Sequence, residues 1–325
     1  MALLYQLLGS KIWPPVDKQP DLSGRTLLIT GANSGLGYEA ALKFVRCSAK
    51  RVVLGVRSVE KGLAARQEIL DQTKRPDTVI DVYQLDMLDY GSIQAFASRV
   101  SQEVSSLDYV ILNAGVSPQT YKKSRYGYEQ GIQVNLLSTT FLALLLLPRL
   151  MASKTDDFTP VLEMVGSGTH QRISKLLAGT DDTKMDPLEV YNSEESFASV
   201  GFMQQYSMTK LFLMYAQWQL VNLVADPNTK KPRAFVVVVG PGPTQSGLGR
   251  DTSEQPFAFR LAFSGMQMLM KTAEQGSRTY ISGLMLGEQG HGQFWQWDSI
   301  DRSACEMVLG SSSNPALESS VDEHY

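Results

Sequence analysis

Short apolar runs recur along this chain, and helix-length segments separate them. The runs are Arg25–Thr30, Arg51–Val56, Thr78–Tyr83, Asp108–Leu112, Pro160–Val165, Ala234–Val239 and a last one around Gln293–Trp295. Helices are expected near 35–48, 58–73, 90–105, 126–151, 203–225 and 270–286. A strand buried on both faces reads as a continuous hydrophobic run, which is how strands of a parallel sheet covered on both sides read. Strands alternating with helices close right-handed crossovers. The pattern therefore predicts an α/β fold with a doubly wound parallel sheet of about seven strands and helices on both faces. It fills one domain, 25–297. The segment 1–24, broken by Pro14, Pro15 and Pro20, is a lead, and 298–325 is a polar tail.

The turn between the first strand and the first helix reads Thr30-Gly-Ala-Asn-Ser-Gly-Leu-Gly37. Glycines at 31, 35 and 37 allow a tight turn and a close approach of phosphate to backbone, and the helix behind it offers free N–H groups. With a strand before it and a helix after it, this is a dinucleotide site in a Rossmann fold. Gly31, Asn33, Ser34, Gly35, Leu36 and Gly37 are its candidate residues. The second strand ends in Val56-Arg57-Ser58, with no acid to hold a ribose 2′-hydroxyl. An arginine fork suits a 2′-phosphate and Ser58 adds a hydroxyl, so NADP(H) is the expected cofactor. The alternative is that Arg57 is a solvated loop cation.

Composition removes other classes. Lys plus Arg is 30 against 33 Asp plus Glu, which argues against a nucleic-acid partner. Cys47 and Cys305 make no disulfide framework, and His170, His291 and His324 are scattered, so no metal site is expected. The apolar run Phe141–Leu147 is shorter than the ~20 residues of a membrane span. The chain lacks a signal-peptide pattern, and a cytoplasmic location is expected. Peripheral membrane contact through the lead is left open.

Tyr206-Ser-Met-Thr-Lys210 places a phenol and an ammonium one helical turn apart, after the fifth strand and before the sixth. A neighbouring cation, joined by a bound nicotinamide cation, is expected to lower the phenol pKa and fit it for proton transfer.

Taken in order, the glycine turn, Asp86, Asn113-Ala-Gly115, Asn135, Ser167, Tyr206-Ser-Met-Thr-Lys210 and Pro241-Gly242 resemble the short-chain dehydrogenase/reductase family over about 25–297. The turn Val56–Gly62 looks most like the retinol-dehydrogenase and WW-domain-oxidoreductase branch, and like fungal reductases of secondary metabolism. The resemblance implies Tyr206 as general acid or base. Lys210 would hold the nicotinamide ribose, Ser167 the substrate oxygen, and Asn135 a proton-relay water. Asp86 and Met87 would meet the adenine, and Asn113, Ala114 and Gly115 would lie beneath the cofactor. Pro241 and Gly242 would line the nicotinamide, with Thr244 or Ser246 at its carboxamide. The structural alternatives are a turn serine at 167, a helix-kink asparagine at 135 and a plain helix N-cap at Asp86. His170 is left outside the catalytic set.

Two segments exceed a minimal core. An extension of about 168–205 separates Ser167 from Tyr206 and reads as a long polar loop. A lid of about 244–270 carries Phe257, Phe259, Phe263, Met266, Met268 and Met270, which suit an apolar ligand. The expected function is reduction of a ketone or aldehyde, or oxidation of the alcohol, on a lipophilic small molecule. A C=C reductase, a cyclase or isomerase, and a catalytically inactive NADP(H)-sensing protein are the alternatives. A homodimer through the long helices is permitted.

Overall fold

Thr26–Thr30 is wholly buried and starts the sheet as β1. The structure, a computed structural model, describes residues 11–171, 173, 187–245, 247–248 and 257–301. Helix α1 (Gly35–Arg46) leads to β2 (Arg51–Val56) and α2 (Val59–Thr73). Then follow β3 (Val79–Gln84), α3 (Tyr90–Glu103) and β4 (Tyr109–Leu112). A π-helical turn at Ile132–Ser138 runs into α4 (Thr139–Met151), and β5 is Val161–Val165. Short helices α5 (Pro187–Tyr191) and α6 (Glu194–Val200) precede the long α7 (Phe202–Leu223). The chain continues through β6 (Phe235–Gly240), α8 (Phe257–Leu269), α9 (Ala273–Leu284), β7 (Phe294–Gln296) and β8 (Ser299–Ile300).

The sheet order is β3-β2-β1-β4-β5-β6-β7-β8. All pairs are parallel except β7 with β8. Alternate strand residues feed two cores. Leu28, Val110, Leu162 and Val236 face α3, α4 and α7. Leu27, Ile111, Val161 and Val237 face α1, α2 and α9. A run that fills both cores has no polar face to show, hence the continuous apolar reading. The order reverses between β1 and β4, which opens a crevice at the strands' carboxyl ends.

The structure corrects the expected elements in several places. The sheet has eight strands rather than about seven, the eighth being a two-residue antiparallel return. The helix expected from 126 begins at the π-turn, because Lys123 and Glu129 pair across a loop before it. Of the extension, 187–200 forms two helices rather than a polar loop; Ser193 caps the second by accepting from Ser196 N. Residues 172 and 174–186 lie outside the described residues. Ile132–Met151 reaches 20 residues at a mean hydropathy of 1.6, long and apolar enough to cross a membrane, unlike the shorter run read from sequence. Half of that window is buried, and Leu142, Leu146 and Leu150 pack on the sheet.

Candidate active site

The glycine turn closes on β4. Gly31 sits at φ +69, where a side chain would be strained. A Cβ at Gly37 would fall 2.6 Å from both Asn113 Nδ2 and Gly31 O. Asn113 Nδ2 donates to Thr30 O at 2.7 Å, Ala114 N donates to Thr30 Oγ1 at 2.9 Å, and Tyr280 Oη donates to Asn113 Oδ1 at 2.8 Å. Asn113 thus fixes the turn by its side chain. Ser34, at the N-cap of α1, makes no capping bond, and the first turn of α1 holds no acid. A helix start with free N–H groups, a positive dipole and no internal anion fits a phosphate.

Arg57 is exposed at the end of β2, with no hydrogen bond or ion pair among the described residues. Ser58 caps α2 by accepting from Lys61 N at 3.3 Å, which leaves its hydroxyl hydrogen to donate. Asp86 is not the helix N-cap: its Oδ1 accepts from Leu88 N at 2.9 Å, while Asp89 caps α3. Met87 is buried, and its carbonyl accepts from Ser138 Oγ at 2.6 Å.

β5 delivers Ser167 and α7 delivers Tyr206 and Lys210. The Tyr206 phenol lies near Ser167, whose side chain pulls the phenol pKa down. Ser167 Oγ accepts from Thr169 Oγ1 at 3.1 Å, which leaves the serine hydrogen free to point forward. Lys210 Nζ donates to Val165 O at 2.8 Å and lies 5.7 Å from the Tyr206 ring centroid. In the chain alone burial pushes the phenol up to about 12, against the weaker pull of Ser167, and pushes Lys210 down to about 8.

The Asn135 side chain bonds to protein groups on two sides. Its Oδ1 accepts from Val116 N at 2.8 Å, and its Nδ2 donates to Val116 O at 2.8 Å and to Thr209 Oγ1 at 3.0 Å. The amide is fully used in tying the β4 loop to α7, from within a π-turn of the kind that recurs at functional sites. A Cβ at Gly115 would lie 3.2 Å from Asn135 Oδ1 and 3.8 Å from Lys210 Nζ, so the three stand together.

After β6, Pro241 is buried and Gly242 sits at φ +67. Thr244 Oγ1 donates back to Gly242 O at 3.0 Å. Ser246 lies outside the described residues, as do the side chains of Phe257, Phe259 and Phe263. Met268, read as a pocket residue, is 69% exposed. His170 is buried, with Nδ1 2.6 Å from Ser167 O, and burial lowers its pKa, so it brings no charge to the serine. Among the described residues no cluster could hold a metal.

Sequence reasoning missed Thr30, Thr209 and Tyr280. Thr209 precedes Lys210 in the motif and could have been suspected; Tyr280 comes from a distant helix and leaves no local signal.

Comparison with known proteins supplies the wider context. Residues 25–157 match the family described as short chain dehydrogenase. Short-chain dehydrogenase/reductase ffsI from Aspergillus flavipes is 39% identical, covering 88% of this chain and 81% of that protein. Short-chain dehydrogenase/reductase phmF from Phaeosphaeria nodorum is 36% identical, covering 90% and 82%. Among solved structures, a short chain dehydrogenase from Escherichia coli CFT073 complexed with NADPH has a TM-score of 0.60 at 23% identity, covering 86% of this chain and 98% of that one. A Pseudomonas aeruginosa RhlG/NADP complex has a TM-score of 0.59 at 20% identity, covering 86% and 98%.

Proposed function

The chain belongs to the short-chain dehydrogenase/reductase family of oxidoreductases, and from that premise we propose that it is an NADP(H)-dependent reductase of a ketone or aldehyde on a lipophilic small molecule. The observation that carries the reading is that Ser167 and Tyr206 stand close enough to act on each other, with Lys210 one turn on and 5.7 Å from the Tyr206 ring, at the strand ends that also bear the glycine turn. The same family name is borne by the fungal relatives, and a secondary metabolite is the substrate class we propose.

Gly31, Asn33, Ser34, Gly35, Leu36 and Gly37 would take the pyrophosphate at the head of α1, and Arg57 with Ser58 the 2′-phosphate. Asp86 and Met87 would border the adenine. Asn113–Gly115, Lys210, Pro241, Gly242 and Thr244 would border the nicotinamide half. When bound, the cofactor supplies hydride to the carbonyl carbon. The free hydrogen of Ser167 donates to the carbonyl oxygen and orients it. Tyr206 gives its proton to the same oxygen and regains one from solvent. A phenol held at about 12 keeps that proton at neutral pH, which sets the chain's own groups for reduction. Asn135 and Thr209 act at one remove, by clamping α7 to the β4 loop.

Replacing Tyr206 by Phe is expected to lower the rate of NADPH oxidation by about 10²–10⁴-fold with cofactor binding retained. Unchanged turnover on a panel of lipophilic ketones would refute the role. We also propose a homodimer through the outer faces of α4 and α7, where Leu144, Leu145, Met203, Tyr215 and Leu223 are exposed. Sedimentation at the 35.9 kDa of one chain would exclude it.

A further inference from the structure

Lys271 stands just before α9 and is 1% exposed. Its ammonium finds no hydrogen-bond acceptor among the described residues. The other buried lysines are matched: Lys210 donates to Val165 O, and Lys43 meets Asp17 and Glu274 at 2.6 and 2.7 Å. Lys271 Nζ instead lies 4.2 Å from the centroid of the Trp297 ring, with Asp298 acting on it electrostatically. A buried ammonium without a paired carboxylate is costly, and methionine would fill much the same volume. Something must use the charge, and what rests on it is the strip after β6. A Cβ at Gly242 would fall 2.9 Å from Trp297 and 3.2 Å from Lys271 Nζ. The Lys271 backbone is stitched to the same strip, accepting from Gln245 N at 2.9 Å.

The support reaches further. Trp297 and Asp298 form the turn between β7 and β8, both at positive φ. Asp298 Oδ2 accepts from Val16 N at 2.7 Å. Residues 11–22 run as a strap over this side: Lys11 Nζ donates to Met268 O at 2.6 Å, and Arg278 Nη1 donates to Pro15 O at 3.3 Å. The same β-hairpin braces the serine turn. A Cβ at Gly168 would meet Gln296 Oε1 at 2.5 Å, and the His170 ring stands edge-on to Phe294 at 4.9 Å.

We propose that Lys271 is a positioning residue for hydride transfer: stacked on Trp297 and steadied by Asp298, it props the Pro241–Thr244 strip, and the amino-terminal strap locks the prop through the Val16–Asp298 bond. The proposal rests on the oxidoreductase reading for its kinetics but not for its mechanics.

Three variants test it: Lys271→Met, Lys271→Arg and Val16→Pro. Val16 is 62% exposed, and proline there removes the N–H donor. The first readout is hydrogen exchange at the amides of Gly242, Thr244 and Gln245 in the protein without added cofactor. Exchange is expected to quicken by roughly tenfold in Lys271→Met and in Val16→Pro, with Lys271→Arg restoring most of the protection. In turnover, kcat should fall by roughly ten- to a hundredfold while the KM for NADPH moves less than about threefold, since the adenosine half is held elsewhere. The Lys271→Met/Val16→Pro double variant should be no worse than Lys271→Met alone. Unaltered exchange in both single variants overturns the prop, whatever the activity. Additive losses overturn the strap's part, and a raised KM with intact kcat overturns the role in positioning. Should Lys271→Met fail to fold, Val16→Pro carries the same exchange test. Quickened exchange in a protein that reduces no carbonyl would leave the prop standing and refute the carbonyl-reductase reading instead.

Discussion

Glu163→Gln should make this protein more resistant to unfolding at neutral pH and no more resistant in mild acid. Glu163 sits mid-strand in β5, is 0% exposed, and neither carboxyl oxygen has a hydrogen-bond partner among the described residues. Gly283 lies so close that a Cβ on it would fall 2.5 Å from Oε2, so the helix above gives no room for the acid to turn away. Burial holds the carboxyl well above its ordinary 4.5, in its neutral form. The sign follows from proton counting. The folded state binds this proton more tightly than the unfolded chain. The stability it contributes is therefore full below about pH 4.5 and is lost as pH rises toward the folded pKa. Each pH unit in that window costs about 1.4 kcal/mol, an appreciable share of a typical folding free energy. Glutamine keeps the shape and removes the titration. Guanidinium unfolding of both proteins at about pH 5, 6 and 7 should give a stability gap that widens by that slope. A gap constant with pH would mean that Glu163 is ionised and paired by something else, and the reasoning would fail.

Gly37→Ala forces a methyl to within 2.6 Å of backbone and of Asn113, so the turn must open. NADPH affinity should drop by at least about tenfold in a fluorescence titration, and an unchanged Kd would refute the packing argument. Arg57→Ala should raise the KM for NADPH by roughly tenfold, the worth of one charged hydrogen bond, and leave NADH alone. Equal effects on both cofactors would sink the 2′-phosphate assignment. With Lys210 at about 8, kcat/KM for reduction should fall as pH rises through that value, because the ammonium is lost. A flat profile to about pH 9 would show that its charge is not used.

The fold was legible because a doubly covered strand shows an almost unbroken apolar run; Phe235–Gly240 could be read from hydrophobicity alone, and Val161–Val165 in spite of the buried Glu163 at its centre. The glycine turn and Tyr206–Lys210 were legible because their chemistry lives in short spacings. What escaped depended on contacts between distant segments. Nothing near Tyr280 says that its hydroxyl will reach Asn113, and nothing near Trp297 says that it will carry a buried lysine. Asn135 was read as a site residue, yet its use depends on Val116 and Thr209, which only the π-turn brings within reach. The two-residue β8 and the short α5 and α6 fall below the length at which periodicity speaks, although Ser193 ahead of Glu194 and Glu195 was a capping signal in plain view.

The separate mounting of Ser167 on the sheet and Tyr206 on α7 has a consequence for change over time. The segment 187–200 is moored by Asn192, which donates to Gly127 O and accepts from Glu129 N, rather than by the Ser167 or Tyr206 hydroxyl. Tyr121 Oη holds the same residue's carbonyl. The segment 187–200 is thus fastened independently of Ser167 and Tyr206, so natural variation or a deliberate graft in it can change the surface there while those two side chains stay where they were.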